Sequence, residues 1–276
     1  MNVIRVMGGL GNQLFQYAFG KAQMKNGIEV RFIFPTRAEQ ERHWQKKRKW
    51  LQERYKQWVR FYCLDKFELV IKEGHHLPVP TIYEHNPECG FDMGLLKRDN
   101  CNFEGYWQYL GYFKDFLPEL RKEFTVKEAF HTPEFLRLKE LILNDPDSVG
   151  VHVRRGDYVL QKGFHDLPLS FYLKALTYTK GNIYICSDDL PWCREKFKEE
   201  YFERKVTFLG LENYLDFQLM RYCKHIVLPN SSFSYWVGVL NDNPNAIIVS
   251  PDRWLGDPEP DTTELHYPKE WIKLKS

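Results

Sequence analysis

At 276 residues, with 43% hydrophobic, 28% charged and 16% aromatic side chains, the chain has the makeup of a folded globular protein, and its length suits two domains better than one because a single core stops growing near this size. A formal net charge of +2 excludes the strongly basic nucleic-acid surface, for which a domain isoelectric point above ~9 is usual. No window approaches ~20 uninterrupted apolar residues and the N-terminus enters a strand pattern at once, which predicts a cytoplasmic protein that does not span a membrane.

The first predicted element is a strand over 3–7, followed by a turn on Gly8, Gly9 and Gly11 and a helix from about Asn12. On that helix Leu14, Phe15, Ala18, Phe19 and Ala22 recur at the three- and four-residue spacing of one buried face. A strand over 28–34 completes a β-α-β opening and announces a parallel sheet. The stretch 37–62 lacks glycine and reads as one long helix, with Trp44, Leu51, Tyr55, Trp58 and Tyr62 on one stripe and Lys46, Lys47, Arg48 and Lys49 among its basic residues. Such a helix packs its stripe on the domain or docks to anionic lipid. Loops with short strands are expected over 73–99, and a helix over 135–143.

The Asn-Asp-Pro-Asp loop at 144–147 predicts a hinge, giving domains 1–145 and 146–250 and a tail over 251–276 that crosses back to the first. Beyond the hinge, strands over 149–153, 183–186, 206–209, 225–228 and 246–249 alternate with helices over 169–178, 191–201, 212–223 and 232–240. Alternation of this kind builds a doubly wound parallel sheet whose ligands gather outside the strand carboxyl ends. Six cysteines include no C-x-x-C pair, and Cys186 and Cys223 fall in apolar segments as reduced, buried thiols.

Three polar clusters follow strand ends. In Val151-His152-Val153-Arg154-Arg155-Gly156-Asp157-Tyr158, alternation puts His152 and Arg154 on one face and Val151 and Val153 in the core. The paired guanidiniums either pair with Asp157 or clamp an anion. We favour the clamp, since a permanently charged fork suits a diphosphate. In Asn230-Ser231-Ser232-Phe233-Ser234 the hydroxyls and the amides of a helix start form an anion site, or simply cap the helix. In Ser187-Asp188-Asp189 the carboxylates accept from a base or ribose, or cap the helix opened by Pro191. The turn Gly8-Gly9-Leu10-Gly11-Asn12-Gln13 is neither a dinucleotide fingerprint, which wants glycine where Leu14 stands, nor a phosphate loop. It leaves the amides of Asn12 and Gln13 exposed at a helix start.

Together these stretches resemble the α1,2-fucosyltransferase family. The match runs through residues 7–18, Glu104-Gly105-Tyr106-Trp107-Gln108, residues 152–158, Ser187-Asp188-Asp189, and Asp216 through Ser234-Tyr235-Trp236, in that order and spacing. Tyr235 stands where the family usually has Trp, and the basic stretch 37–62 is an addition. The resemblance implies an α/β, GT-B fold of two Rossmann-like domains facing across a cleft, with GDP-fucose on the C-terminal one. It implies inversion at the anomeric carbon, no metal, no cofactor, no nucleic acid, and a galactose-terminated acceptor.

By the same resemblance Arg154 holds the β-phosphate, His152 and Asp188 help fix the nucleotide, and Ser231, Ser232 and Ser234 line its phosphates. Arg155, Ser187, Asp189, Asn230 and Phe233 complete the donor side, while Gly9, Gly11, Asn12 and Gln13 face the reaction from the opposite domain. Asp157 is the first candidate base, with Asp166 behind it. A diphosphate oxygen could also take the proton. Transfer to another linkage, a non-catalytic binding protein whose arginines only pair with Asp157, and metal-dependent transfer through Asp188 and Asp189 are the competing readings.

Overall fold

A computed structural model describes residues 1–36, 39, 62–84, 91–160, 166–254 and 266–276. Apart from Glu39 and Tyr62, the basic stretch 37–62 lies outside the described residues. The chain forms two compact units, Met1–Thr125 and Val126–Ser276.

The first unit opens on β1 (Asn2–Arg5), α1 (Leu10–Lys25) and β2 (Val30–Ile33), then adds β3 (Thr81–Tyr83) and β4 (Asn102–Glu104). The four strands pair in parallel in the order β2-β1-β4-β3. The spacing of α1 holds: Leu14, Phe15, Ala18, Phe19 and Ala22 are all buried, and Phe19 stacks on Trp107 with ring centroids 4.5 Å apart. The helix begins at Leu10, two residues before the expected start. Gly9 lies extended ahead of it with no side-chain cap, so Gly11 falls inside the first turn and is buried.

In the second unit α2 (Pro133–Leu143) leads into β5 (Val149–Val153), α3 (Leu169–Leu176), β6 (Ile183–Ser187), α4 (Leu190–Lys196), β7 (Val206–Phe208), α5 (Asn213–Tyr222), β8 (His225–Val227), α6 (Ser232–Val239), β9 (Ile248–Pro251) and β10 (Ile272–Leu274). The six strands are parallel, in the order β10-β9-β8-β5-β6-β7. That is the Rossmann order, with the reversal between β5 and β8. Val149, Val151 and Val153 of β5 sit in its core with Phe171, Ile183, Ile185, Val227 and Val249.

Two expectations about organisation are corrected. The division falls after Thr125, and the supposed hinge at 144–147 lies inside the second unit. Asp145 there is 8% exposed and accepts from the backbone N–H of Asp147 at 3.2 Å and of Asn182 at 3.1 Å, and from the Tyr184 hydroxyl at 3.3 Å. A turn latched this way by a buried carboxylate is the opposite of a linker. The tail, instead of returning to the first sheet, adds β10 alongside β9 through Ile272, Lys273 and Leu274. Among the described residues no helix is long and apolar enough to cross a membrane, and the five described cysteines are buried and form no disulfide with one another.

Candidate active site

The reversal between β5 and β8 brings two of the three polar clusters to one place. Residues 154–157 leave the carboxyl end of β5 and residues 228–231 leave that of β8, while Asp188 and Asp189 follow β6 on the other side of β5.

Arg154 is the centre. Its Nη2 donates to Asp157 Oδ1 at 2.5 Å, and its Nη1 lies 2.6 Å from Asp188 Oδ2, an ion pair off the ideal hydrogen-bond direction. All three side chains are deeply placed, 19%, 9% and 12% exposed. Burial works against the charge on the guanidinium, but Asp188 and Asp157 outweigh it and hold the group protonated. Of the two readings of this arginine, the ion pair is the one seen here, and the two carboxylates hold the fork in one orientation.

Arg155 is occupied by protein. Its Nη1 reaches Asp166 Oδ2 at 3.1 Å, its Nε donates to Asp189 Oδ2 at 3.3 Å, and its plane lies 4.1 Å from the centroid of Trp192. The carboxylates after β6 are likewise engaged. Asp188 Oδ1 accepts the backbone N–H groups of Arg155 at 2.9 Å and Gly156 at 3.3 Å, which folds the 154–157 turn over β6. Asp189 Oδ1 caps α4 through the Trp192 N–H at 3.3 Å, and Ser187 Oγ accepts the Asp189 N–H at 2.9 Å. Of the two roles open to this motif, capping belongs to Asp189, while Asp188 has one the sequence did not suggest, gripping the arginine turn.

His152, 5% exposed, packs its ring against Phe233 with centroids 4.9 Å apart, and its Nδ1 has no hydrogen-bond partner among the described residues. Burial, assisted by the neighbouring Arg154 charge, pushes its pKa down to about 3. The ring is therefore held neutral. Asn230 ties the loop after β8 to its neighbours: its Nδ2 donates to the Trp254 carbonyl at 3.1 Å, and its own carbonyl accepts the Tyr158 hydroxyl at 2.9 Å.

The serine cluster divides. Ser231 precedes α6 without a side-chain cap, and Ser232 and Phe233 are partly exposed at its first turn. Ser234 is fully buried and donates back to the Ser231 carbonyl at 3.3 Å, so its hydroxyl is spent on the first turn of α6 instead of on a phosphate.

In the first unit Gln13 is also corrected. It is 2% exposed, its Nε2 donates to the Gly8 carbonyl at 3.0 Å and its Oε1 accepts the Cys63 N–H at 3.0 Å, so it braces the glycine turn from below. Asn12, partly exposed, accepts from Gln108 Nε2 at 2.8 Å. Trp192 and Trp254 were not legible as contributors, because one acts through its ring face and the other through a backbone carbonyl. Two hollows in the first unit, of about 480 and about 240 Å3, involve none of the candidate residues.

A Rossmann sheet in the second unit, after a first unit built on a parallel sheet of its own, is the makeup of the GT-B fold of glycosyltransferases. The fold agrees with solved members. The chain superposes on an alpha-1,6-fucosyltransferase, NodZ, co-crystallized with GDP, at TM-score 0.53, 14% identity, and 90% and 94% of the two chains. It matches a glycosyl transferase family 9 protein from Veillonella parvula at TM-score 0.50, 13% identity, and 99% and 86% of the two chains.

The sequence narrows the class: residues 83–275 match the model of Glycosyl transferase family 11, and the chain belongs to that family. Its relatives include an alpha-1,2-colitosyltransferase of Escherichia coli, 27% identical over 99% of this chain and 98% of that protein. The O-antigen biosynthesis glycosyltransferase WbnK of Escherichia coli is 28% identical over 67% of this chain and 64% of that protein. Galactoside 2-alpha-L-fucosyltransferase SEC1 of Bos taurus is 33% identical, over 44% of this chain and 37% of its own length.

Proposed function

We propose that the chain transfers L-fucose from GDP-fucose to the 2-hydroxyl of a terminal galactoside, with inversion at the anomeric carbon. The observation that carries this reading is the Arg154 fork at the β5/β8 reversal, oriented by Asp157 and Asp188. The guanidinium, with the amides at the start of α6, suits the β-phosphate of a departing nucleoside diphosphate. Such pre-organised donors lower a barrier because nothing reorients as charge builds, and losing one typically slows transfer ~10²- to 10³-fold. His152, neutral and with an unfilled Nδ1, suits a polar atom of the nucleotide.

The proton route follows from the carboxylates. Asp157 is committed to Arg154 and Asp166 to Arg155, so neither suits the part of a general base. As the bond from the anomeric carbon to the diphosphate breaks and the galactoside oxygen bonds to that carbon, the hydroxyl proton passes to a diphosphate oxygen of GDP. We take transfer to be metal-independent, because Asp188 and Asp189, the acidic pair a metal would use, are each held by an arginine. A cytoplasmic site of action, with the basic stretch 37–62 against anionic lipid, belongs to the same proposal.

One observation favours a second donor: the relative spanning 99% of this chain is named a colitosyltransferase, and colitose is the 3-deoxy counterpart of L-fucose. A pocket that hydrogen-bonds the 3-hydroxyl discriminates strongly against its absence. The deciding experiment is turnover of GDP-fucose and GDP-colitose on a panel of galactosides, with and without EDTA, and the linkage read by NMR. Fucosyl transfer to O2, undiminished by EDTA, and stabilisation against heat by GDP of about 2.7 kcal/mol at a hundred times its Kd are expected. Preference for GDP-colitose would replace the donor, and no thermal response to GDP would defeat the reading.

A further inference from the structure

The first sheet has a reversal of its own, between β1 and β4, so the loops that follow those two strands open side by side. The comparisons and the donor chemistry assign nothing to the second of these loops, Gly105-Tyr106-Trp107-Gln108, yet it is built more rigidly than a surface connection needs. Glu84 accepts the backbone N–H groups of Tyr106 at 2.6 Å and Trp107 at 2.9 Å. Gln16, fully buried, accepts the Met7 N–H at 2.9 Å and donates to the Gly105 carbonyl at 2.8 Å, which locks the two loops together. Trp107 takes the left-handed region at φ 58 and is buried under Phe19. A bulky residue in that region is a local cost that its surroundings must enforce.

That rigidity presents an exposed ring and a polarised amide pair. Tyr106 is 42% exposed. Gly8, at φ +81, is bare beneath it: a Cβ there would come within 3.3 Å of the Tyr106 ring and 2.7 Å of Asn12 Nδ2, so the missing side chain is what lets ring and amide approach each other. Because Gln108 Nε2 donates to Asn12 Oδ1 at 2.8 Å, both amides have one orientation, which leaves Asn12 Nδ2 as a donor and Gln108 Oε1 as an acceptor. A fixed donor and acceptor next to an aromatic face is the complement of a pyranose: adjacent hydroxyls on one side, a patch of C–H groups on the other. Galactose fits best among common hexoses, since its axial 4-hydroxyl clears the C3, C4 and C5 hydrogens on the opposite face for stacking.

We infer that Asn12, Tyr106 and Gln108 form the subsite that holds the galactosyl ring of the acceptor, with Tyr106 as platform and the amide pair as hydroxyl reader. The inference rests on the galactoside reading above and names the residues that would read it.

The test is saturation-transfer NMR of methyl β-D-galactoside and methyl β-D-glucoside against the full chain, with acceptor KM measured in parallel. Transfer to the galactoside but not the glucoside is expected. Tyr106→Ala should abolish it and raise acceptor KM about tenfold, the ratio that an aromatic contact of ordinary strength implies. Tyr106→Phe should keep the wild-type KM, and Gln108→Leu, which frees the Asn12 amide to rotate, should raise it. The exposure of Tyr106 makes loss of fold an unconvincing origin, and an unchanged GDP melting shift checks that directly. Galactoside signals that persist in both Tyr106→Ala and Gln108→Leu, or that are absent in the wild type, overturn the subsite. Galactoside binding that meets these expectations in a chain that ignores GDP would instead overturn the donor reading and leave the subsite standing.

Discussion

Replacing Arg154 with alanine tests the site where charge and stability are tied together. The guanidinium is the shared counter-ion of Asp157 and Asp188, whose side chains are 9% and 12% exposed. Its removal takes their common cation from both carboxylates, with the backbone N–H bonds from Arg155 and Gly156 to Asp188 as a partial offset. Breaking one buried pair in this way costs about 3–5 kcal/mol; because both partners share a single cation, the same figure, not its double, is the working magnitude. For a unit of this size that corresponds to a fall in Tm of roughly 6–20 °C.

Arg154→Ala should therefore lose transfer and melt early, whereas Arg154→Lys, which keeps a cation but not the fork, should lose transfer with a much smaller thermal penalty. The triple variant Arg154→Leu, Asp157→Asn, Asp188→Asn removes the whole charged set and should recover most of the stability while staying inactive. Thermal unfolding followed by near-UV circular dichroism, alongside GDP-fucose turnover, separates the two effects. An Arg154→Ala chain that melts within ~2 °C of wild type would refute the claim that this arginine neutralises both carboxylates.

Asp145→Ala removes the acceptor for two backbone N–H groups and the Tyr184 hydroxyl in a buried turn, and should destabilise the second unit by about 3 kcal/mol, read as a fall in the urea midpoint; an unchanged midpoint would restore the linker reading of 144–147. Asp216 gives a pH test. Burial pushes its pKa up to about 7 from 3.8, against the backbone N–H bonds from Leu211 and Gly210, so the folded state holds this proton more tightly than the unfolded chain does. Its stability contribution is complete below about pH 4 and is lost as pH rises through 7, a change of about 4 kcal/mol at most. Asp216→Asn has no proton to lose and should gain on the wild type between pH 5 and pH 8; parallel melting curves across that range would contradict the assignment.

How much of this was legible beforehand differs between backbone and site. The periodicity of α1 and the strand-helix alternation of the second unit specify their elements because each buries one stripe or one run, and that need is written in the residue order. The boundary was misplaced because Asn144, Asp145, Pro146 and Asp147 have linker composition. What makes them a latch is Asn182 and Tyr184, distant in sequence and adjacent only once β5 and β6 pair. The site shows the same division. Arg154 could be singled out from its place after a strand, but its partnership with Asp188 across 34 positions could not. The resemblance makes Gln13 and Ser234 ligand-facing, whereas each is buried and spends its side chain on nearby backbone, Gln13 on Gly8 and Cys63 and Ser234 on Ser231, contacts that a shared motif does not display.

The charge balance of the described site argues for what the arginines do. Arg154 and Arg155 contribute two positive charges; Asp157, Asp166, Asp188 and Asp189 contribute four negative ones, and His152 is neutral, so the cluster stands at two minus four, formally −2. A surface that merely attracted a diphosphate would not be built this way. The carboxylates lower its pull on anions and in exchange fix the guanidinium plane, so that any recognition of a nucleoside diphosphate rests on directed N–H groups and on the amides at the start of α6 more than on net charge. That is the arrangement expected where a diphosphate already doubly negative in the donor gains a further charge as the glycosidic bond breaks: oriented dipoles aimed at that added charge gain most at the transition state, while bulk attraction acts on donor and transition state alike.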